Sequence, residues 1–362
     1  MSKVLFLDYS GEPDVLRGID ALCNASGIFK AISKGDSVAV KVHMGELGNV
    51  TYIRPAFVRR VVDLVKKQGA QPFVTDTVSL YPGSRDTGTK YLSTAAYNGF
   101  VKESVGVPVV IADGDGHDGR LVAVENAVAG CELTGVEVAT GIHEADFLLV
   151  LSHVKGHMIT GFGGAVKNLG MGCVTRQSKM DQHRVCPALL DDSKCDGCEG
   201  CLEACPVDAL SMQGGRPQRN SEKCIYCSTC LFVCSRKALS WERKNKERFQ
   251  VYLAHAAAAV ARGFKQKIGF INFVQDVTPH CDCAAPAGRA LFADIGILAS
   301  TDPVALDKAS LDLIDKARMI GAPRAISAPD KLGKWHHVDS LVQLRTAQQL
   351  GMGGMEYELS IL

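Results

Sequence analysis

Eight of the fourteen cysteines of this 362-residue chain lie within one short stretch. They form two runs with the same spacing, Cys-x2-Cys-x2-Cys-x3-Cys, whose members are Cys195, Cys198, Cys201 and Cys205, then Cys224, Cys227, Cys230 and Cys234. Because the gaps are short, one loop can wrap several corners of a metal centre. Cysteine thiolates are the usual ligands of iron–sulfur clusters and of many structural zinc sites. Metal binding is therefore the first chemistry that the sequence predicts.

The two runs resemble the ligand pattern of bacterial two-cluster ferredoxins, including Pro206 directly after Cys205. The resemblance implies two [4Fe–4S] clusters, each held by three close cysteines of one run and the last cysteine of the other. The two implied ligand sets are Cys195, Cys198, Cys201 and Cys234, and Cys224, Cys227, Cys230 and Cys205. Ser235 stands where the second ferredoxin run usually has proline, which leaves the ligand sulfurs unchanged. A pair of zinc knuckles is the alternative, but eight cysteines in two identical runs favour the clusters.

A second group of polar residues and glycines occupies residues 153–173, directly after the apolar run 145–151. Ligands of open parallel sheets bind outside the carboxyl ends of strands, and glycines let the backbone approach a ligand. The candidates for acid–base catalysis, nucleophilic attack or anion binding are His153, Lys155, His157, Lys167 and His183. The candidates for cofactor binding are Gly161, Gly163, Gly164 and Asn168. A glycine-rich packing loop with surface histidines and lysines is the structural alternative.

A third group, His280, Cys281 and Cys283, follows the apolar run that ends at Val274. Together with Cys173 these thiols and the imidazole predict a third metal site, with Cys186 and His183 as further donors, or a site for a small organic cofactor. Buried cysteines also behave as small hydrophobic residues, so a role in the core is the alternative. We expect Lys167 and the Cys281/Cys283 pair to border one pocket, within about 10 Å of each other.

Two further loops follow predicted strands and carry polar residues that are expected at the same rim. They contribute Lys41, His43 and Glu46, and then Asp76, Thr77, Tyr81 and Arg85. Residues 113–118 are rich in aspartate and glycine, but no glutamate stands where a calcium-binding loop requires it. We therefore predict a turn there.

Strand and helix patterns alternate on both sides of the cysteine runs. Strands are predicted at 37–42, 72–75, 107–112, 145–151, 267–274 and 294–299, and helices at 57–67, 91–103, 246–263 and 303–317. This alternation predicts an α/β fold with a mostly parallel sheet and helices on both faces. Since the cysteine-rich stretch interrupts it, residues 1–190 and 243–362 are predicted to form one discontinuous domain. Residues 191–242 are then an inserted ferredoxin-like domain.

The overall composition excludes several functional classes. Forty Lys and Arg against 39 Asp and Glu leave a net charge of +1, which disfavours nucleic acids and anionic membranes as partners. No stretch is apolar for long enough to predict a membrane span. The start of the chain lacks the pattern of a signal peptide, which predicts a cytoplasmic protein. Thiols are expected to stay reduced there, which favours metal ligation over disulfides.

Four segments outside the cysteine runs carry a resemblance to a family of uncharacterised iron–sulfur center proteins, a domain of unknown function with an inserted ferredoxin. These segments are residues 41–46, 152–157, 161–173 and 294–305. The resemblance implies bound clusters and an anaerobic distribution. Residues 160–167 are also similar to a glycine-rich stretch of nickel-pincer lactate racemases, in which the lysine carries the cofactor. That lysine corresponds to Lys167, although this chain lacks the preceding arginine.

These observations predict an iron–sulfur oxidoreductase or electron-transfer protein. Two [4Fe–4S] clusters would receive electrons from a redox partner protein and relay them to a site on the α/β domain, where Lys155 or Lys167 anchors a small anionic substrate or cofactor. His153 or His183 would serve as acid or base. One alternative is a pure electron carrier whose α/β domain docks a partner. The other is a non-redox, racemase-like enzyme with structural clusters.

Overall fold

The computed structural model describes residues 1–11, 14–320 and 326–362. The strands are β1 (Ser2–Asp8), β2 (Ser37–Val42), β3 (Gln71–Asp76), β4 (Val109–Ile111), β5 (Gly119–Ala123), β6 (Gly135–Ala139), β7 (Phe147–His153), β8 (Lys155–His157), β9 (Gly161–Gly163), β10 (Leu189–Leu190), β11 (Leu210–Gln213), β12 (Arg216–Arg219), β13 (Leu239–Ser240), β14 (Ile268–Val274), β15 (Gly296–Ser300) and β16 (Tyr357–Ile361). The helices are α1 (Val15–Ser26), α2 (Pro55–Lys67), α3 (Gly88–Tyr97), α4 (Lys102–Val105), α5 (Thr140–His143), α6 (Ala165–Gly172), α7 (Arg176–His183), α8 (Gly200–Glu203), α9 (Thr229–Val233), α10 (Arg243–Phe264), α11 (Pro303–Lys316), α12 (Lys331–His336) and α13 (Val342–Gln349).

Within these described residues, eight strands form one sheet in the order β16-β1-β15-β14-β7-β2-β3-β4. Strand β15 is antiparallel to both of its neighbours, and the remaining neighbouring pairs are parallel. The central strands β7 and β14 are buried along their whole length, as expected for strands covered by helices on both faces. The predicted fold class, mixed α/β with a large mostly parallel sheet flanked by helices, is confirmed.

Alternate residues of the central strands enter two different hydrophobic cores. In β7, Leu148 and Val150 pack with residues of α6, α10, α11 and α13 on one face of the sheet. Their neighbours Leu149 and Leu151 pack with α1, α2 and α3 on the other face. Because successive side chains of a strand point to opposite faces, a continuous apolar run is needed to fill both cores.

The long helix α10 lies against α6, and small residues on both helices permit a close approach. A Cβ atom on Gly170 of α6 would lie 2.2 Å from the carbonyl oxygen of Leu253, so glycine is required at this crossing. The alanine-rich stretch of α10 is buried there. Among the described helices, none combines the length and the apolar character required to cross a membrane.

Two segments differ from their predicted secondary structure. The helix predicted over 91–103 is divided into α3 and α4, because Gly99 has a φ of +86°, which ends the first helix. Residues 153–173, for which no strand or helix is predicted, contain the hairpin β8–β9, followed by α6. The turn predicted at residues 113–118 is present.

The cysteine segment, defined as residues 191–242, has a different construction. It contains the short helices α8 and α9 and the hairpin β11–β12, and its two ends are joined by the pairing of β10 with β13. Its buried residues are Ala209, Ser228 and Ala238, and none of them belongs to a hydrophobic core of the described structure. The chain therefore enters and leaves this segment at adjacent points. Trp241 packs against the hydrophobic cluster of Ile159, Cys186, Phe249 and Leu253, and the rest of the segment adds little apolar packing.

Candidate functional site

The carboxyl ends of β14, β7, β2 and β3 lie side by side, and a cavity of about 440 Å³ opens above them. Its wall includes residues that follow each of these strands, among them His43, Asp76, His153 and Cys281. The parallel pairing of β7 with β14 brings the second and third predicted groups together. Lys167 and the Cys281/Cys283 pair both line this cavity, as the sequence predicts.

One buried ion-pair network centres on Asp282. Its carboxylate lies 2.7 Å from Nδ1 of His153 and 3.0 Å from Nζ of Lys155, and its side chain is completely buried. Burial by itself raises the pKa of Asp282, but His153 and Lys155 outweigh this effect and hold the pKa well below its usual range. Nε2 of His153 lies 2.8 Å from the carbonyl oxygen of Gln275. Both ring nitrogens therefore have partners within the protein, and the role of His153 as acid or base stays a prediction.

A second network holds the floor of the cavity. Nζ of Lys41 lies 2.8 Å from Oδ1 of Asp76 and donates to Oδ1 of Asn168 at 2.6 Å. Burial alone would raise the pKa of Asp76, but Lys41, His43 and the hydrogen bonds from Lys41 and Tyr91 lower it to about 2. Asn168 also donates to the carbonyl oxygen of Leu151, so this side chain ties α6 to the end of β7.

The rim of the cavity carries a third ion pair, between Arg85 and Glu46, at 3.0 Å. The backbone N–H of Gly45 donates to Nδ1 of His43 at 3.0 Å, which leaves the proton of the neutral ring on Nε2. Burial and the nearby Arg85 lower the pKa of His43 well below its ordinary value. His43 is therefore a neutral hydrogen-bonding group on the cavity wall at physiological pH.

Helix α6 presents Lys167 to the cavity. The carboxylate of Asp307, on α11, accepts hydrogen bonds from the backbone N–H groups of Ala165 and Val166 at 2.7 and 2.9 Å and thereby caps the helix. Burial raises the pKa of Asp307 to about 6. A Cβ atom on Gly163 would lie 3.1 Å from Cδ of Lys167, so this glycine leaves room for the lysine.

Lys167 differs from the other lysines of the cavity because its ammonium group has no hydrogen-bond or ion-pair partner in the described part of the chain. Burial, followed by the positive charge of Lys155, lowers the pKa of Lys167 to about 7. Near neutral pH it therefore exists both as an ammonium group, which binds anions, and as an amine, which accepts protons.

Other nitrogen-containing side chains complete the cavity wall. His157 accepts from the N–H groups of Ile159 and Thr160, and burial together with Lys167 lowers its pKa well below the ordinary value. His183 packs against the ring of Phe249, and burial and Lys167 lower its pKa to about 3. These histidines, like His43, are neutral at physiological pH.

The lysines and the arginine of the wall outnumber its carboxylates. The lining cations are Lys41, Lys155, Lys167, Lys179 and Arg85, whereas Asp76 is the lining carboxylate in the described structure. Lys179 donates to Oγ1 of Thr77 at 2.6 Å, and burial lowers its pKa to about 8. With Lys41, Lys155 and Arg85 paired to carboxylates, Lys167 and Lys179 provide the surplus charge. The arrangement is suited to a small anion.

The predicted third metal site is not formed by the described residues, among which no group of three or more His, Cys, Asp or Glu side chains could hold a metal ion. Cys281 and Cys283 are instead joined by a disulfide, so their sulfurs are not thiolate ligands. Cys173 is buried in the core, where burial raises its pKa to about 12. Burial also raises the pKa of Cys186 to about 12. His280 lines the cavity.

The predicted cofactor-binding residues are divided between two positions. Gly163, Gly164 and Asn168 line the cavity. Gly161 does not, because it faces α12 and the loop after it: a Cβ atom there would lie 2.6 Å from Cβ of Ser340. The φ of +76° at Gly161 explains the glycine at this turn, which serves packing rather than ligand approach.

In the cysteine segment, cysteines from both runs border one common space. One small cavity of about 30 Å³ is lined by Cys195, Cys198, Cys201 and Cys234. In the other set, burial, with smaller contributions from the neighbouring Cys227 and Cys205, raises the pKa of Cys224. The backbone N–H groups of Ala209 and Ala238 donate to the sulfurs of Cys205 and Cys234 at 3.2 and 3.3 Å, which gives the two halves matching geometry.

The cysteine segment reaches the cavity of the α/β domain directly. Cys227, Ser228, Thr229, Phe232 and Trp241 all line the 440 Å³ cavity, together with the lysines and histidines described above. Three important residues were missing from the sequence-based site: Asp282, Asp307 and Lys179. Asp282 lies between two candidate cysteines, which is a usable signal, whereas nothing in the sequence separates Asp307 or Lys179 from ordinary helix residues.

The sequence profile of the family described as Domain of unknown function (DUF362) matches residues 38–312 of the chain. The chain belongs to this family. The matched residues of this DUF362 protein contain the cysteine segment and all the cavity residues named above. Among curated proteins, no sequence match was found.

Similar solved structures include a lactate racemase apoprotein from Thermoanaerobacterium thermosaccharolyticum, with 13% sequence identity and a TM-score of 0.41 over 87% of this chain. A structural-genomics protein from Thermotoga maritima has 11% identity and a TM-score of 0.44 over 83% of this chain. The DUF362 protein spans 57% of the length of each of these two chains.

Proposed function

We propose that this DUF362 protein is an iron–sulfur oxidoreductase in which residues 191–242 hold two [4Fe–4S] clusters and the adjacent cavity binds a small anionic substrate. Bound clusters of this kind supply single-electron transfer. A redox partner protein would deliver the electrons. The proposal rests on one observation above all: the loop of Cys227 and the cationic residues around Lys167 line the same cavity.

The cysteines present suit this cofactor. Cys195, Cys198, Cys201 and Cys234 surround a common space, and Cys205 is close enough to Cys224 for their charges to interact. A cubane binds one thiolate at each of four irons, so its ligands are more widely spread than those of a single ion. Backbone N–H groups that donate to sulfur are a further feature of such sites.

The residues of the cavity have different proposed roles in binding the substrate and in proton transfer. Lys167 binds the anionic group of the substrate in its charged form and accepts or returns a proton in its neutral form. Lys155 and His153 are held by Asp282, so they shape the wall without leaving their positions. Hydrogen bonds from the neutral imidazoles of His43 and His157 would orient the ligand. A volume of about 440 Å³ accommodates a small molecule and favours an enzyme over a pure electron carrier.

Metal analysis tests the first half of the proposal. Protein purified without oxygen should contain about eight iron and eight acid-labile sulfide per chain, as two cubanes require. Cys198→Ala and Cys227→Ala should each lose about half of both, whereas Cys131→Ala, outside the cysteine segment, should lose neither. Stoichiometric zinc without labile sulfide would refute the iron–sulfur assignment.

Anion binding tests the second half. Acetate and inorganic phosphate should raise the melting temperature of the protein, because a ligand that binds the native state stabilises it. Lys167→Met should remove this increase, whereas Lys102→Met, at an exposed lysine of α4, should retain it. An equal increase in both variants would place anion binding outside the cavity.

A further inference from the structure

We infer that Cys281 and Cys283 are a redox-active pair, which opens from disulfide to dithiol at the cavity wall and allows the cavity to store two electrons. The inference rests on the proposed function, because it assigns the delivery of electrons to the cysteine segment. It adds a step that the clusters alone do not provide, since each transfers one electron at a time.

The placement of the pair is the main argument. Cys281 and Cys283 line the same cavity as Cys227, Ser228 and Thr229 of the cysteine segment. The other cysteines outside that segment are Cys23, Cys131, Cys173 and Cys186, and none of these lines the cavity in the described structure. The disulfide therefore lies where a ligand and the cysteine segment meet.

The backbone around the pair is fixed by contacts that do not involve the sulfurs. The N–H of Glu46 donates to the carbonyl oxygen of Asp282 at 2.9 Å, and the hydroxyl of Tyr81 donates to that of Cys283 at 3.0 Å. The carboxylate of Asp282, between the two cysteines, is held by His153 and Lys155. Because these contacts remain when the S–S bond opens, the two sulfurs stay next to each other and can close again.

The reduction balances as a two-electron step. The S–S bond breaks, each sulfur gains one electron and one proton, and two thiols form. The electrons require a low-potential one-electron donor acting twice, which is the chemistry proposed for the cysteine segment. The protons come from water in the cavity. Reoxidation reverses each change.

The test measures the state of the pair in iron-loaded protein under anaerobic conditions. Samples are left untreated, reduced with dithionite or reduced with a phosphine, then treated with iodoacetamide and examined by peptide mass spectrometry. In the wild type and in Cys131→Ser, dithionite should convert an unmodified pair into one alkylated at both cysteines. In Cys227→Ala, few of these peptides should be alkylated by iodoacetamide after treatment with dithionite, whereas treatment with the phosphine should still make both thiols available. Wild-type protein stripped of iron by a chelator provides the same comparison if that variant does not fold.

The outcomes separate this inference from the proposed function. Iron and sulfide are measured on the same samples, so their absence would refute the proposed function and this inference together. If the protein contained its full iron and sulfide but only the phosphine reduced the Cys281/Cys283 disulfide, the inference would be overturned and the proposed function would stand. The inference would also be overturned if dithionite reduced the Cys281/Cys283 pair equally in the wild type and in Cys227→Ala. It would likewise be overturned if the two thiols could still be alkylated after mild oxidation.

Discussion

The cysteine segment and the cavity beside it are built in opposite ways. In the segment, three sulfurs of each implied set come from residues a few positions apart and the fourth comes from the other run, and the buried side chains there are Ala209, Ser228 and Ala238. In the cavity, the groups come from four strand ends and from the helices α6 and α7, at positions from Lys41 to Ala284, and they rest on two hydrophobic cores. The spacing of the cysteines along the sequence already indicates which sulfurs belong together in the segment. The cavity, in contrast, forms only when the whole sheet has formed.

The cysteine segment and the α/β domain also differ in what stabilises them. A segment without an apolar core needs another source of free energy, and structural metal centres supply it in many small domains. The α/β domain has large cores, so it can tolerate buried charges whose cost is offset elsewhere. Its Lys167 is one such charge, placed where a ligand would use it.

Removal of iron should give the largest difference between the two regions. When a chelator strips the clusters, amide hydrogen exchange in residues 191–242 should rise to the rate of an unfolded chain, because no core remains to protect it. Exchange in β7 and β14 should stay slow. Continued protection of the segment without metal would show that it folds by itself and would remove the contrast.

Replacement of Asp282 by asparagine should give the largest effect within the α/β domain. The change leaves Lys155 and His153 buried without their carboxylate, which is expected to cost about 3–5 kcal/mol of the free energy of unfolding. Urea denaturation measures it. Asp63→Asn breaks the exposed pair with Arg59 and is the matched control, with an expected cost of about 0–1 kcal/mol. Equal costs would mean that the Asp282 network is not a structural element.

Much of the fold could be predicted from the sequence, because it depends on local patterns, whereas the ligand sets of the cysteine segment stay a prediction. The apolar runs that became β7 and β14 are long enough to be recognised, and the cysteine spacing needs no tertiary information. The cavity was predicted only in part. Lys167 and Cys281 were placed at one pocket through strand order, but the partners of Asp282 and Asp307 are distant in sequence, and no periodicity reports them. The contact of Gly161 with Ser340 is also distant in sequence, which explains why the sequence predicts ligand binding rather than packing for this glycine.

Replacement of Lys167 by methionine should make the protein more stable at low pH. Since the pKa of this lysine is about 7 in the folded chain against 10.5 ordinarily, the burial of its charged form opposes folding by several kcal/mol. The gain in the free energy of unfolding should be greatest below pH 7 and should fade as the pH rises from 7 towards 10.5, where the unfolded chain also loses the proton.

Urea denaturation at several pH values, with Lys102→Met as the control, measures this profile. A gain that does not change with pH would mean that the lysine is not buried as a charge. Anion binding supplies a second check. Acetate should bind the wild type less tightly as the pH rises above about 7, because Lys167 then loses its positive charge.

Two glycines of helices on the cavity side of the sheet should give the smallest effects, of opposite sign. Gly263 of α10 has open space around it, so Gly263→Ala should add about 0.5–1 kcal/mol to the free energy of unfolding through helix propensity. A Cβ atom on Gly172 of α6 would lie 2.5 Å from Nζ of Lys41, so Gly172→Ala should be destabilising. Thermal unfolding of both variants compares them, and a gain at both positions would contradict the tight packing around Lys41.

The most direct test of the joint site is electron paramagnetic resonance of two reduced variants, with and without acetate. Cys198→Ala should retain the cluster of Cys205, Cys224, Cys227 and Cys230, next to the cavity. Cys227→Ala should retain the other cluster, away from it. The account predicts that acetate changes the spectrum of Cys198→Ala and leaves that of Cys227→Ala unchanged. An acetate effect of equal size on both spectra, or on neither, would contradict the claim that the cavity and the Cys227 loop form one site.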